Sequence, residues 1–374
     1  MSAVIHQWLT EPPDPEARKL IKRWSQTEDV EQLAIMPDVH PAEGFCVGAV
    51  LGTNGWIYPQ AVGGDIGCGI ATRKFNGLRA SVLSLEVLQR IQERIAVKIP
   101  IHRKNRAITG DLPAELTRQP LCDPHLENQK NNDAVLQIGT LGTGNHFLEL
   151  QLDEDGALWA MVHSGSRGIG QRIFGWHLAH ALRMKGGVLG LDSDTDAGKM
   201  YLADMEWARK YAAANRWEML EATAKIMKEF LGVVDEVQSY IDCDHNHLKH
   251  EHHGDGQLWI HRKGANSAWV GEAGLIPGSM GTRSFHVTGR GHPDSLFSSS
   301  HGAGRSMSRA EASVRISTGD FLKSMKGILF DVQRARRLKE EAPGAYKDIH
   351  KVMRAQNELV RITRRLEPIL NYKG

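Results

Sequence analysis

The sequence predicts a mixed fold of strands and helices, long enough for one large domain or two ordinary ones, and three observations carry that reading. In the first hundred residues, short apolar runs punctuated by Gly and Pro alternate with helix-period segments. A long stretch rich in Ala, Leu, Met, Glu and Lys lies past the middle. No internal repeat, low-complexity tract or obvious linker divides the 374 residues. A chain of this length buries a sizeable core.

Taken in order, FCVGAVLG (45–52) and WIYPQAVGG (56–64) are short apolar runs broken by turn residues. SLEVLQRIQERIAVKI (84–99) places apolar residues at three and four spacing and predicts a helix. From Arg103 to Asn132 the chain is polar with little periodicity, which predicts a surface segment, a mobile flap or an insertion. ALWAMVHSGS (157–166) predicts a strand running into a Ser/Gly loop, and KGGVLGLDSDTDAGK (185–199) predicts a second loop. The stretch from Met200 to Val234 predicts a long helix that Gly232 stops. The last seventy residues, with RARRLKEE (334–341) and VRITRRLEP (360–368), look helical and basic.

Composition narrows the function classes. Net charge is +2, so a nucleic-acid contact has to come from local arginine placement rather than from a basic chain as a whole. Cys46, Cys68, Cys122 and Cys243 lie far apart with no CxxC pair, a poor disulfide framework that suits a reducing compartment. No apolar run reaches membrane-spanning length and the start lacks signal-peptide character, so the expectation is a cytoplasmic protein.

Histidine is abundant, with 18 copies, and several sit in Gly-, Asn- and Ser-rich loops. These are MPDVHPAEGF (36–45), GTLGTGNHFLEL (139–150), MVHSGSRGIG (161–170), DCDHNHLKHE (242–251) and SSSHGAGRSMSR (298–309). A further loop, AVGGDIGCGI (61–70), puts a carboxylate and a thiol three positions apart. Taken singly, each such loop is more simply a tight turn. Their recurrence points to a site assembled from many loops whose glycines let backbone approach a ligand. Asp, Cys and His are donors for a transition metal, and a thiolate can bridge two ions. The donors leave zinc, iron, cobalt and manganese open. HLKHEHH (247–253) lacks the HExxH spacing and reads as a solvated polar run, so His247, His250, His252 and His253 are set aside.

PGSMGT, HGAGR and SGSRG offer N–H groups, hydroxyls and arginine to phosphate oxygens, although neither a GxxxxGK[ST] loop nor a KxDG lysine signature occurs. If phosphate is activated, another nucleophile must act. A neutral imidazole can attack phosphorus to give a phosphoramidate, and His301 is the best placed by local sequence.

MPDVH, AVGGDIGCG, GTLGTGNHFLE, HSGSRGIG, DHN, HRKGA, IPGSMG and SHGAGRSMSR, in this order over roughly residues 30–374, resemble the RtcB family of RNA-splicing ligases. The resemblance implies one α+β catalytic domain over 1–374, with mixed β-sheets flanked by helices around a deep metal-containing cleft. It implies an enzyme that uses GTP as co-substrate and two Mn²⁺ ions. Such an enzyme joins RNA 3′-phosphate or 2′,3′-cyclic phosphate ends to 5′-hydroxyl ends, through a guanylylated histidine and an RNA-(3′)pp(5′)G intermediate, in tRNA splicing or RNA repair. The partner implied is RNA, with room for an accessory activator protein.

By the same resemblance the metal ligands fall on Asp65, Cys68, His146, His163 and His245, with Cys68 bridging, and the guanylylated residue on His301. Nucleotide contacts fall on Asn145, His146, Phe147, Leu148 and Glu149, on His245 and Asn246, and on Pro277, Gly278, Ser279, Met280 and Ser284. They continue on Gly302, Ala303, Gly304, Tyr346 and Lys373, and Arg167 and Arg305 suit phosphate or RNA backbone. The chain departs from the family pattern at Glu43, where a cation is common, at Gly64, where Val is typical, and at Asp244, where a second His is frequent. The competing classes are a metal-dependent phosphohydrolase or nuclease and a non-catalytic RNA-binding relative. PGSMG and HGAGR argue against the first, and retention of His301 and every inferred ligand against the second.

Overall fold

The computed structural model describes residues 2–77, 83–104 and 111–374. Its architecture is α+β. A seven-stranded antiparallel sheet runs in the order Val234–Asp244, Gly69–Asn76, Leu158–Ser164, Phe147–Asp153, Val360–Lys373, Ser284–Gly289, Ala273–Ile276. A five-stranded sheet runs Val4–Gln7, Val30–His40, Val47–Thr53, Gly256–Lys263, Asn246–His253, with only its first pair parallel.

The middle of the larger sheet is apolar on both faces, which is why LWAMVHS reads as a continuous run rather than an alternating one: every residue of Leu158–Ser164 is buried. One face is covered by the helices Leu85–Lys98 and Asp196–Leu231. Ile91 and Ile95 from the first, and Met219, Leu220, Ile226 and Met227 from the second, join Ala71, Leu150, Leu158, Ala160 and Val162 of the sheet in one cluster. The long helix starts where the Thr195 hydroxyl accepts the Gly198 N–H, and ends on Gly232 at φ 65°, the left-handed cap expected of that glycine.

The structure corrects four expectations. VRITRRLEP is strand, not helix: Val360–Lys373 is a fourteen-residue strand inside the larger sheet. Val360, Leu366 and Pro368 are buried while Arg361, Arg365 and Glu367 are exposed, so β-branching and two-residue alternation outrank basic composition. The 185–199 stretch is not all loop, since Leu189–Asp192 pairs with Trp56–Ile57 and the long helix begins at Asp196.

The 103–132 stretch is better ordered than its polarity suggests, although 105–110 lie outside the described residues. It holds the short helices Ala114–Arg118 and Pro124–Gln129, and it sinks Leu116, Leu121 and Leu126 into a cluster with Tyr201, Met205 and Trp207. HLKHEHH is an edge strand rather than a wholly solvated run. His247 and Glu251 are buried, His250 and His252 are exposed, and Glu251 binds the Arg262 guanidinium. Among the described residues no helix is long and apolar enough to cross a membrane.

The sheets place their ends together. Asp38 and His40 close the Val30–His40 strand, Cys68 precedes Gly69–Asn76, and His163 sits near the end of Leu158–Ser164. Lys263 and Lys373 end their own strands, and His301 follows Ser298–Ser300. His245 is the single residue between Val234–Asp244 of one sheet and Asn246–His253 of the other, pinned by its N–H to the Cys68 carbonyl at 2.8 Å.

Candidate active site

These ends surround a cavity of about 760 Å³ lined by loops from both sheets. On its floor five donor side chains converge. Cys68 Sγ lies 3.5 Å from His146 Nε2 and 3.2 Å from His163 Nε2. His163 Nε2 is 3.3 Å from His245 Nε2, and His146 Nε2 is 3.0 Å from Asp65 Oδ2. All of Cys68, His146, His163 and His245 are buried.

The loop reaches this geometry through two close approaches. Gly67 turns at φ 69°, and a Cβ there would stand 2.8 Å from the Arg209 backbone. A Cβ on Gly165 would stand 2.2 Å from Asp65 Oδ1, so that glycine makes room for the carboxylate. Gly64 answers to a different neighbour: its φ is not positive, and the space a side chain would fill holds Gln171 Oε1, 1.8 Å from the Cβ position.

The protonation pattern suits a cation. The Leu141 carbonyl, 3.1 Å from His146 Nδ1, accepts that N–H, and His146 Nε2 faces Asp65 Oδ2 at 3.0 Å, where a metal ion can replace its proton. Burial lowers His163 and His245 well below the ordinary histidine range, and neighbouring imidazoles deepen the effect, so both are neutral ligands at pH 7. Burial alone would raise Asp65, but hydrogen bonding and charge from His146 outweigh it and hold the carboxyl down. Burial, then the Asp65 charge, pushes the Cys68 thiol well up in the absence of an ion. Bare nitrogens, a carboxylate and a thiol turned toward one another fit a soft-to-borderline divalent metal.

His301 stands beside this cluster, its ring 4.6 Å from that of His245. Its Nδ1–H donates to Asp38 Oδ2 at 2.7 Å and its backbone N–H reaches the same oxygen at 3.2 Å. Asp38 is fully buried. That orientation leaves His301 Nε2 with its lone pair free. The sequence reading quoted MPDVH without giving Asp38 this task, because 263 residues separate the pair.

Most residues expected at the nucleotide side line the same cavity. They are Asn145, Phe147, Glu149, His245, Asn246, Pro277, Gly278, Ser279, Met280, Gly302, Ala303, Gly304, Tyr346 and Lys373. Asn246 is braced by Nδ2 on the Asp65 carbonyl at 3.0 Å and by the Gly264 N–H on its Oδ1 at 2.8 Å. Burial raises Glu149 to about 8, against the opposing pull of Gln151, Lys373 and Asn371. Lys373 is no frayed end: it is buried, paired in register with Phe147, with Nζ 3.3 Å from Glu341.

Four expected residues stand off the cavity wall. His146 lies beneath it with the metal donors. Strand alternation turns Leu148 into the apolar core, and Ser284 is buried against Gln151, its Oγ accepting Nε2 at 3.1 Å. Arg167 lies behind His146, with Nε on Thr140 Oγ1 at 3.2 Å. Arg305 does line the cavity, but all three of its nitrogens are engaged, on Met307, Glu340 and Glu341.

Glu341 was not legible beforehand; it accepts from Arg305, Arg309 and Tyr346 and pairs with Lys373, binding the nucleotide side into one unit. Lys263 and Lys347 also line the cavity, and among the described residues their Nζ atoms bond only to backbone carbonyls. Of the departures, Glu43 offers its carbonyl to Lys263 at 2.8 Å, and Asp244 turns to Arg209 at 2.6 Å, while His245 Nδ1 has no partner among the described residues.

A sequence model of the family described as "tRNA-splicing ligase RtcB" matches residues 21–126 and 114–374. The chain belongs to the RtcB family. It is 34% identical to the RNA-splicing ligase RtcB of Escherichia coli (strain K12), over 100% of this chain and 98% of the relative. It is 32% identical to the RNA-splicing ligase RtcB of Mycobacterium tuberculosis, over 91% of this chain and 96% of that one. The tRNA-splicing ligase RtcB of Thermococcus kodakarensis is 30% identical over 95% and 93%. The RtcB match therefore takes in both sheets and every loop that lines the cavity floor.

Proposed function

We propose that this chain is a GTP-dependent RNA ligase that joins a 3′-phosphate or 2′,3′-cyclic phosphate end to a 5′-hydroxyl end, with His301 as the residue that carries GMP. The observation that supports it most is the pairing of a buried carboxylate, Asp38, with Nδ1 of His301 beside a five-donor cluster. Family membership and the relatives' printed names supply the RNA-splicing class.

In this reading His301 Nε2 attacks the α-phosphorus of GTP, the bond to pyrophosphate breaks, and the Nδ1 proton stays on Asp38's side of the ring. The RNA 3′-phosphate oxygen then displaces His301 and takes the GMP. Finally the 5′-hydroxyl oxygen attacks the activated 3′-phosphorus, forming the phosphodiester and releasing GMP. Asp65 and His146 form one half of the donor set and His163 and His245 the other, with Cys68 Sγ between them, an arrangement that suits two ions, which we take as Mn²⁺. When bound, such ions supply charge neutralisation at phosphate oxygens.

In this reading Glu149 and Lys373, which line the cavity, read a guanine edge and Tyr346, which lines it too, stacks on its face. In this reading Lys263 and Lys347, which have no carboxylate ion pair among the described residues, face incoming phosphate in place of Arg167 and Arg305. We take the enzyme as cytoplasmic, a reading supported by four scattered cysteines with no CxxC pair, which suit a reducing compartment. The test is a joining assay with RNAs of defined ends, GTP and Mn²⁺. Sealing of a 3′-phosphate to a 5′-hydroxyl that disappears in His301→Ala supports the reading. GTP-independent cleavage, with no sealing, replaces it with a metallophosphohydrolase.

A further inference from the structure

Outside the cleft, three side chains from three separate segments meet. Cys122 lies just before the Pro124–Gln129 helix, His177 is in the last turn of the Arg167–Ala179 helix, and Asp204 is in the third turn of the long helix. Their donor atoms lie within 4.8 Å of one another. Cys122 Sγ is 3.7 Å from His177 Nε2, and His177 Nε2 is 2.8 Å from Asp204 Oδ2. None of the three lines the catalytic cavity.

The donor set repeats that of the cleft: a thiol, an imidazole nitrogen and a carboxylate oxygen. Its spacing does too, since neighbouring donors in the cleft lie 3.0 to 3.5 Å apart. Around a tetrahedral zinc, sulfur and nitrogen ligands stand about 3.6 Å apart, close to what Cys122 and His177 show. The oxygen–nitrogen pair needs only a small opening. The Cys122 N–H holds Asp204 Oδ1 at 3.0 Å, which orients the carboxylate and leaves Oδ2 as the donor toward the centre.

Two further observations point to a cation. The side chains of His177 and Asp204 are each 1% exposed, and among the described residues Asp204 has no Lys or Arg partner. A buried carboxylate that meets an imidazole, a thiol and one backbone N–H, but no Lys or Arg among the described residues, is short of positive charge, which a divalent ion supplies. The Tyr201 ring packs on His177 with centroids 5.3 Å apart, and among the described residues its fully buried hydroxyl has no hydrogen-bond partner. Cys122 itself is part-exposed, so a fourth position is open to water.

We propose that Cys122, His177 and Asp204 form a second divalent metal site of the zinc class, structural in role and separate from the catalytic cleft. Its effect is to staple the segment from 111 onward to the two helices beneath it. That segment leads directly to Leu141, whose carbonyl fixes the tautomer of His146, so the staple orders the approach to the catalytic donors without touching them.

The test uses the full chain. Cobalt loaded into a Cys68→Ala protein, which lacks the cleft thiolate, is expected to show thiolate-to-cobalt absorption, and Cys68→Ala/Cys122→Ser is expected to lose it. No such band in Cys68→Ala at saturating cobalt, or a band that survives in the double variant, overturns the proposal. A second measurement keeps every cysteine in place. Alkylation of Cys122 in the metal-stripped wild-type chain, followed peptide by peptide, is expected to slow at least about tenfold when zinc is added, because metal-bound thiolate is shielded. An unchanged rate, or zinc protection that persists in Asp204→Asn, overturns it.

Discussion

Replacing Asp38 with Asn removes a charge from behind the nucleophile and little else. One oxygen, Oδ2, takes both the ring and backbone N–H groups of His301, at 2.7 and 3.2 Å, while the other, Oδ1, has no partner. An asparagine can put its carbonyl oxygen at the first position and its amide at the second, so the ring keeps its tautomer and orientation. Two contributions are lost. A hydrogen bond to a charged acceptor is worth about 1 kcal/mol more than one to a neutral acceptor. As imidazole attacks phosphorus it gains positive charge, and a carboxylate some 4 Å away stabilises that charge by up to about 4 kcal/mol at an effective dielectric of 20. Because only part of that charge has developed in the transition state, a loss of about 2–4 kcal/mol follows, or about 30- to 1000-fold in rate. The assay is single-turnover formation of the GMP adduct from labelled GTP, with thermal unfolding as the check on fold. A rate within about threefold of the wild type, in a folded protein, would refute the reasoning.

Three other perturbations test the frame around the site. Leu150 is fully buried in the main cluster, and Leu150→Ala should cost about 3 kcal/mol in denaturant unfolding; a loss under about 1 kcal/mol would mean that the cluster is not the stabilising core. Burial alone would raise Glu251, but the Arg262 guanidinium outweighs it and holds the carboxyl at about 2 against an ordinary 4.5. A depressed folded value stabilises above the unfolded one, so about 3 kcal/mol should be lost as pH falls from about 4.5 to about 2. Glu251→Gln should flatten that acid limb, and an unchanged limb contradicts the assignment. Gly64→Val meets only the terminal amide of Gln171, an exposed side chain that can swing aside, so it should cost under about 1 kcal/mol and leave adduct formation within about fivefold; a larger loss that Gly64→Val/Gln171→Ala does not recover would place the cause in the loop backbone.

What the sequence revealed, and what it concealed, follows from how local each signal is. The helix ending at Gly232, the strand inside ALWAMVHSGS and the helix within 84–99 carry their own periodicity and caps, so each was legible from a window of residues. VRITRRLEP misled because its arginines suit a helix in isolation, while its alternation only acquires meaning between the Phe147–Asp153 and Ser284–Gly289 partners. Leu116, Leu121 and Leu126 were masked by polar neighbours that face water. In the site, Asp65 and Cys68 share one loop and were readable together, whereas the contact between Asp38 and His301 and the gathering of four side chains on Glu341 exist only once the sheets meet. Leu148 shows the reverse: a residue inside a functional motif is turned inward by the pleat.

The most direct test of the account is the site of nucleotide attachment. Incubating the wild-type chain with labelled GTP and Mn²⁺, then mapping the acid-labile phosphoramidate by peptide mass spectrometry, should place one GMP on His301 and none in His301→Ala. A GMP found on another residue, or an adduct that persists in His301→Ala, would contradict the central claim.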